Sequence, residues 1–126
     1  MKISNTAALA PPFGAYSHVC ELKAGSRMLL LAGQVGMRTD NSIPESVEEQ
    51  TEVALQNILA TLSEAGMGLS NIARMTVILL DRGDIKHYRA ARDRIFGDIL
   101  PPNTLMIVTG LANPAWKVEI EVTAAE

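Results

Sequence analysis

Three short runs in this chain are apolar at almost every position rather than at alternate ones. They are Met28-Leu29-Leu30-Leu31, Met75-Thr76-Val77-Ile78-Leu79-Leu80 and Leu105-Met106-Ile107-Val108. Side chains alternate between the two faces of a strand, so each run is apolar on both. Both faces of the resulting sheet must therefore be covered, which restricts the fold more than any other feature. The chain has 126 residues, room for one domain spanning 1–126, with no repeat or linker inside it. Apolar residues at 48% and charged residues at 20% exclude the disordered class.

The remaining segments supply part of that cover. Ala10-Pro11-Pro12-Phe13-Gly14 excludes helix and central strand. Tyr16 to Lys23 reads as a strand, Ala24-Gly25-Ser26 as a turn, and Arg27 to Gly33 as the returning strand of a hairpin. Gln34 to Pro44 reads as loop. Ser46 to Ala65 is the clearest helix: Ser46 and Glu49 have capping-box spacing, Val47, Ala54, Leu55, Ile58, Leu59 and Leu62 form one stripe, and Gly66 stops it. Ile72 to Leu80 is β-rich. Asp84 stands at the N-cap of a second helix, Ile85 to about Ile99, ended by Pro101-Pro102. Thr104 to Thr109 and Lys117 to Thr123 are the last strands. The order β-β-α-β-α-β-β predicts an α+β fold, a mixed sheet with two helices on one face.

Two such helices cover one side of the sheet. The other side would remain an exposed apolar patch, which soluble monomers rarely carry, so a second copy of the chain is expected on it. A net charge of -3 with no basic run argues against nucleic-acid binding. The longest apolar stretch is strand-sized and the N-terminus lacks a secretory apolar segment, so the expectation is a cytoplasmic protein with no membrane span. Cys20 is the lone cysteine and reads as a small buried apolar residue. With His18 and His87 as the only histidines, no metal site is expected.

Chemistry has few places to sit. Gly66-Met67-Gly68 follows a helix and is a cap rather than a phosphate loop. Ser17 and His18 are strand neighbours on opposite faces, which gives a hydrolase triad little support. In the last strand, Val118, Ile120 and Val122 share one face and Lys117, Glu119, Glu121 and Thr123 the other. That polar face is either a solvated exterior or a cleft, where a partly desolvated carboxylate becomes usable as a general base. On the second helix Arg92 falls on the apolar stripe with Ile85, Tyr88, Phe96 and Ile99. It is either a snorkelling or paired core arginine, or a guanidinium at an anion-binding cleft. Arg89 and Arg94 lie elsewhere on that helix and read as surface.

Several segments taken together resemble one family. They are Ala10-Pro11 with Gly14-Ala15-Tyr16-Ser17, then Ala32-Gly33-Gln34-Val35, then Glu49-Gln50-Thr51 leading to Asn57-Ile58, then Ala65-Gly66. Thr76-Val77 with Leu80-Asp81 and the closing Val118-Glu119-Ile120-Glu121 complete the set. In order and spacing, over nearly the whole chain, these resemble the reactive intermediate deaminase family, RidA or YjgF. The resemblance implies a chorismate-mutase-like fold of the bacillus type and a homotrimer around a central barrel. It implies small-molecule clefts at the subunit interfaces and cofactor-free hydrolysis of imines and enamines to a carbonyl product and ammonia. Glu119 matches the carboxylate that positions or activates water, Tyr16 an aromatic hydroxyl at the cleft rim, and Gly33 the backbone of the cleft floor.

Two departures bear on substrate. Ala32 stands where the family has a serine. Asn103, in Pro101-Pro102-Asn103, stands where active imino-acid deaminases carry the arginine that grips the substrate carboxylate. The expected substrate therefore differs from ordinary 2-imino acids, with Arg92, or second to it Arg89, as the replacement cation. Tyr16 or the backbone around Asn103-Thr104 would hydrogen-bond it. Aminomuconate-deaminase-like catabolism is one alternative and a metabolite-binding trimer without turnover another. Ribonuclease activity fits the charge poorly.

Overall fold

The computed structural model describes residues 1–126. A five-stranded mixed sheet carries the fold, and two α-helices cover one face of it. The strands are β3 (Met28–Leu30), β4 (Gln34–Val35), β5 (Ile72–Leu79), β6 (Asn103–Ile107) and β7 (Val118–Ala125). Their order is β3-β7-β5-β6, with β4 also on β7; β5 and β6 run parallel and the other pairs antiparallel. β3 and β4 lie end to end along one edge of β7, from Met28 opposite Ala125 to Val35 opposite Glu119. The helices are α1 (Val47–Glu64) and α2 (Ile85–Phe96). No helix is long and apolar enough to cross a membrane.

The period-two pattern places the core. Met75, Val77 and Leu79 of β5 and Val118, Ile120, Val122 and Ala124 of β7 are buried against Leu55, Ile58 and Leu62 of α1 and Tyr88 and Phe96 of α2. α1 starts where expected: the Ser46 side chain accepts from the Glu49 N–H at 3.1 Å. The reciprocal half of a capping box is missing, because the Glu49 carboxylate pairs with Arg38 at 2.6 Å. Gln50, one turn in and fully buried, ties three segments together. Its Nε2 donates to the carbonyls of Pro44 and Ala115, and its Oε1 accepts from the Lys117 N–H. Gly36 has room only for hydrogen, since a Cβ there would stand 2.5 Å from the Gln50 Cα.

The expected hairpin does not form. Val19–Glu21 (β2) pairs instead with Lys2–Ser4 (β1) in a separate two-stranded sheet, Ser4 opposite Val19. The turn at Gly25 is real, with φ of +81°, but it acts as a corner. β3 takes its pairing from the end of β7, where Leu29 can face the core, whereas Val19 and Glu21 on β2 are exposed. Within the expected loop 34–44, Gln34–Val35 adds a short strand. α2 ends at Phe96, three residues before Ile99, because Gly97 turns the chain with φ of +51°. Asp84 occupies the N-cap of α2 without a capping bond; Asp81 instead accepts from the Gly83 N–H at 2.6 Å.

The face of the sheet away from the helices is apolar at its edges and polar in its middle. Met28, Leu30 and Met106 are exposed there, Leu30 at 78%. Between them the alternation brings out Arg74, Thr76 and the half-buried Ile78 on β5 and Glu119, Glu121 and Thr123 on β7. The apolar patch expected on this face is thus present but interrupted by the polar side chains of β5 and β7. Cys20 is also less buried than expected, half-buried at a surface groove, where desolvation raises its thiol pKa.

Candidate active site

A cavity of about 320 Å³ opens along the free edge of β6. Three segments build it, each for a local reason. Residues 13–16 are held there because Ser17 bridges in parallel to Pro102, just before β6, while the Tyr16 N–H closes a tight turn onto the Gly14 carbonyl at 3.0 Å. Ile85, Tyr88, Arg89 and Arg92 share one side of α2 through their three- and four-residue spacing. Asn103, Thr104 and Leu105 form the β6 wall. The Phe13 and Tyr16 rings meet edge to face at 5.5 Å, and Phe13 is 89% exposed at the mouth.

The two arginines differ in kind. Arg92 is 3% exposed and its guanidinium is committed: Nη2 donates to the Ile99 carbonyl at 2.9 Å, Nη1 pairs with Asp93 at 3.0 Å, and the group lies 5.0 Å over the Phe96 ring. It locks the end of α2 to the segment leading into β6. Arg89 is exposed at the cavity, close to the Gly14 backbone, where an added Cβ would lie 3.5 Å from its Nη2. The ion pairs of the chain engage Arg27, Arg38, Arg92 and Arg94 and leave Arg89 without a partner. Both arginines reach the cavity: Arg92 as a buried, hydrogen-bonded group in its wall, and Arg89, read from the sequence as surface, as an exposed cation at its mouth.

Deeper in, the Tyr88 hydroxyl and the Asn103 side chain are buried beside each other; Asn103 bears on the Tyr88 hydroxyl, but neither that hydroxyl nor the Asn103 Oδ1 makes a well-formed hydrogen bond. Burial pushes the Tyr88 pKa up to about 12, against the opposing pull of the Arg92 charge. Two cations and no carboxylate line the cavity.

Glu119 lies elsewhere. On β7 it stands opposite Val35 on one side and Ile78 on the other, half-buried on the face away from the helices. Its carboxylate rests against Gly33: a Cβ on that glycine would be 2.9 Å from the Glu119 Cδ and closer still to Oε1. β5 separates Glu119 from β6, so about 10 Å of sheet lies between this carboxylate and the cavity wall. Ala32 belongs to a third place, a groove between Leu29–Leu31 and Thr61, Glu64 and Ala65 at the end of α1. The expected site residues therefore fall into two groups within one chain. Tyr16, Arg89, Arg92, Asn103 and Thr104 gather at the β6 cavity; Gly33 and Glu119 meet on the open face; Ala32 joins neither. Thr104 also anchors the rim, its Oγ1 accepting from Arg74 Nη2 at 3.2 Å.

Phe13, Ile85, Tyr88 and Leu105 line the cavity without having been singled out from the sequence as site residues. The helical spacing from Tyr88 to Arg92 carried a usable signal. Phe13 and Leu105 carried none, since only the course of the chain before Ser17 brings them together. No group of three His, Cys, Asp or Glu side chains is placed to hold a metal ion.

The family profile described as Endoribonuclease L-PSP matches residues 7–126. A RutC family protein of Pyrococcus horikoshii is 31% identical over 115 residues, covering 90% of this chain and 88% of its own. The 2-iminobutanoate/2-iminopropanoate deaminase of Mus musculus is 28% identical over 127 residues, covering 99% and 91%. Among solved structures, the conserved Rid-family protein YyfB of Yersinia pestis superposes with a TM-score of 0.88 at 26% identity, over 99% of this chain and 98% of that one. E. coli TdcF with bound serine superposes with a TM-score of 0.75 at 26% identity, over 100% and 99%. The chain is thus a member of the Endoribonuclease L-PSP family, the YjgF/Rid group of proteins.

Proposed function

We propose that this protein is a hydrolytic deaminase of reactive imines or enamines, acting without a cofactor as a homotrimer of single-domain chains. The observation that carries this reading is the division of the site. One surface of the chain holds a concave half-site with Tyr16, Asn103 and Thr104, and another holds Glu119 laid against Gly33. In a closed ring of identical subunits, the open face of one copy meets the β6 edge of the next. The exposed Met28, Leu30 and Met106 supply apolar surface for that contact.

In the joined cleft, Glu119 takes a proton from water as the oxygen attacks the carbon of the C=N bond, and the nitrogen is protonated. The resulting carbinolamine expels ammonia and leaves a carbonyl group. The substrate carbon is already electrophilic, so orientation and one general base are sufficient. Similarity to the mouse 2-iminobutanoate/2-iminopropanoate deaminase supports the reaction class. Asn103 supports a substrate other than a simple 2-imino acid, because a neutral amide lacks the bidentate charge that grips an adjacent carboxylate.

The test is complementation between chains. Glu119→Ala and Tyr16→Ala subunits are each made alone and co-assembled, and ammonia release from an imine generated in situ is measured. Each variant alone is expected to be nearly inactive, whereas random mixed trimers regain roughly a quarter of the sites if each cleft draws on two chains. Mixed trimers no better than either parent overturn the shared cleft. A second reading, a trimer that binds a metabolite without turnover, is favoured by Asn103; ligand binding with no ammonia release from the wild type would decide for it.

A further inference from the structure

The β6 cavity bears a charge pattern that a plain imine substrate does not use. Its lining holds two guanidinium groups and no carboxylate. Arg92 is held by Ile99, Asp93 and the Phe96 ring, which fix two of its five N–H donors and hold its guanidinium in place. Arg89 is different. Elsewhere on the same helix Arg94 pairs with both Glu48 and Glu52, yet Arg89 makes no ion pair, since Asp93 one turn on is engaged by Arg92, and it stands at the mouth by Gly14 and the aromatic pair Phe13 and Tyr16. A cation at the lip of an apolar hollow draws anions to it and is placed for a bidentate grip.

A second observation is independent of charge. The Tyr88 hydroxyl, on a residue 2% exposed, and the Asn103 side chain are buried beside each other in this cavity, and neither the hydroxyl nor the Asn103 Oδ1 makes a well-formed hydrogen bond. Buried polar atoms left without good hydrogen bonds are uncommon and costly, and a ligand's polar end would complete the bonding of this pair. The hydroxyl remains a donor across the working pH range, since its pKa is pushed up to about 12. Between this polar floor and the cation at the mouth the walls are Ile85, Leu105 and the rings of Phe13 and Tyr16.

We propose that Arg89 is the specificity-determining cation of this cavity and that the ligand is a carboxylate whose anionic group is separated from its other polar end by a short unsaturated or apolar spacer. The carboxylate sits on Arg89 at the mouth, the spacer lies among the apolar walls, and the far polar end meets Tyr88 and Asn103. A volume of about 320 Å³ suits a short conjugated chain or a single ring. The inference rests on reading the cavity as the substrate half-site, and it narrows the substrate to ω-anionic rather than 2-imino acids.

The experiment is calorimetric titration with 4-hydroxybenzoate, a single ring with a carboxylate at one end and a hydroxyl at the other, with its neutral amide and with acetate. It is run on the wild type and on the Glu119→Ala protein, in which turnover is not in play. 4-Hydroxybenzoate is expected to bind at least tenfold more tightly than the amide or acetate, in both proteins. Arg89→Gln is expected to remove that tenfold preference while leaving amide binding and the melting temperature unchanged, and Arg89→Lys to restore part of it. Equal affinity for 4-hydroxybenzoate and its amide, no binding of either, or an Arg89→Gln protein that still prefers the carboxylate overturns the proposal. Arg89-dependent binding without any ammonia release in the wild type would keep this inference and remove the deaminase reading; ammonia release untouched by Arg89→Gln would do the reverse.

Discussion

The Glu119 carboxylate and the backbone of Gly33 occupy space that no side chain at position 33 could share. A methyl group there would stand 2.9 Å from the Glu119 Cδ. The carboxylate end of a half-buried glutamate can swing away, so the strain of Gly33→Ala would be relieved by moving Glu119 rather than by unfolding. The expected outcome is a fall in kcat of about tenfold or more with little change in melting temperature. Steady-state ammonia release measured beside a thermal melt checks it; an unchanged kcat means the position of this carboxylate does not govern turnover.

Gln50 should be among the most costly side chains to lose. It is fully buried, and its three hydrogen bonds reach Pro44, Ala115 and Lys117. Gln50→Leu keeps the volume but strands two carbonyls and one N–H, a cost of about 3 kcal/mol. Urea denaturation should show a lower midpoint with an unchanged slope. Since these bonds hold the loops flanking β4 and β7, activity should fall with stability.

Tyr88 makes the fold sensitive to alkali. Burial raises its pKa from the ordinary 10 to about 12, so below pH 10 the tyrosine is protonated in both the folded and unfolded states and this group contributes no slope. Above pH 10 the unfolded chain releases the proton and the folded one retains it, and stability declines until about pH 12. The loss amounts to about 3 kcal/mol across that window. Tyr88→Phe should flatten this part of the stability profile, as read by denaturant titration at several pH values.

Leu30 is the most exposed of the apolar residues on the open face, at 78%. If that face seats a second copy, Leu30→Asp should shift the sedimenting species from three chains toward one at micromolar concentration. Its effect on the isolated chain should be within about 0.5 kcal/mol, because the side chain is solvated there. A wild-type protein that sediments as a stable monomer would remove the assembly from the account.

Which elements were legible follows from how far their causes reach along the chain. α1, with Ser46 capping it through the Glu49 N–H, and the alternation that buries Val118, Ile120 and Val122 are set by backbone periods of 3.6 and 2.0 residues, which the sequence displays directly. The same helical period put Arg92 inside. Strand pairing has no such local cause. β2 joined Lys2–Ser4 rather than its neighbour β3, because the edge of β7 competed for Met28–Leu30 and offered a place in the core for Leu29. The gathering of Arg89, Tyr88 and Phe13 around one hollow likewise required the Ser17–Pro102 bridge, which joins segments far apart in the chain. Periodicity and caps are thus properties of neighbouring residues and were determined by the sequence alone. The choice among competing edges, and with it the cavity, was decided only when distant segments closed over a common core.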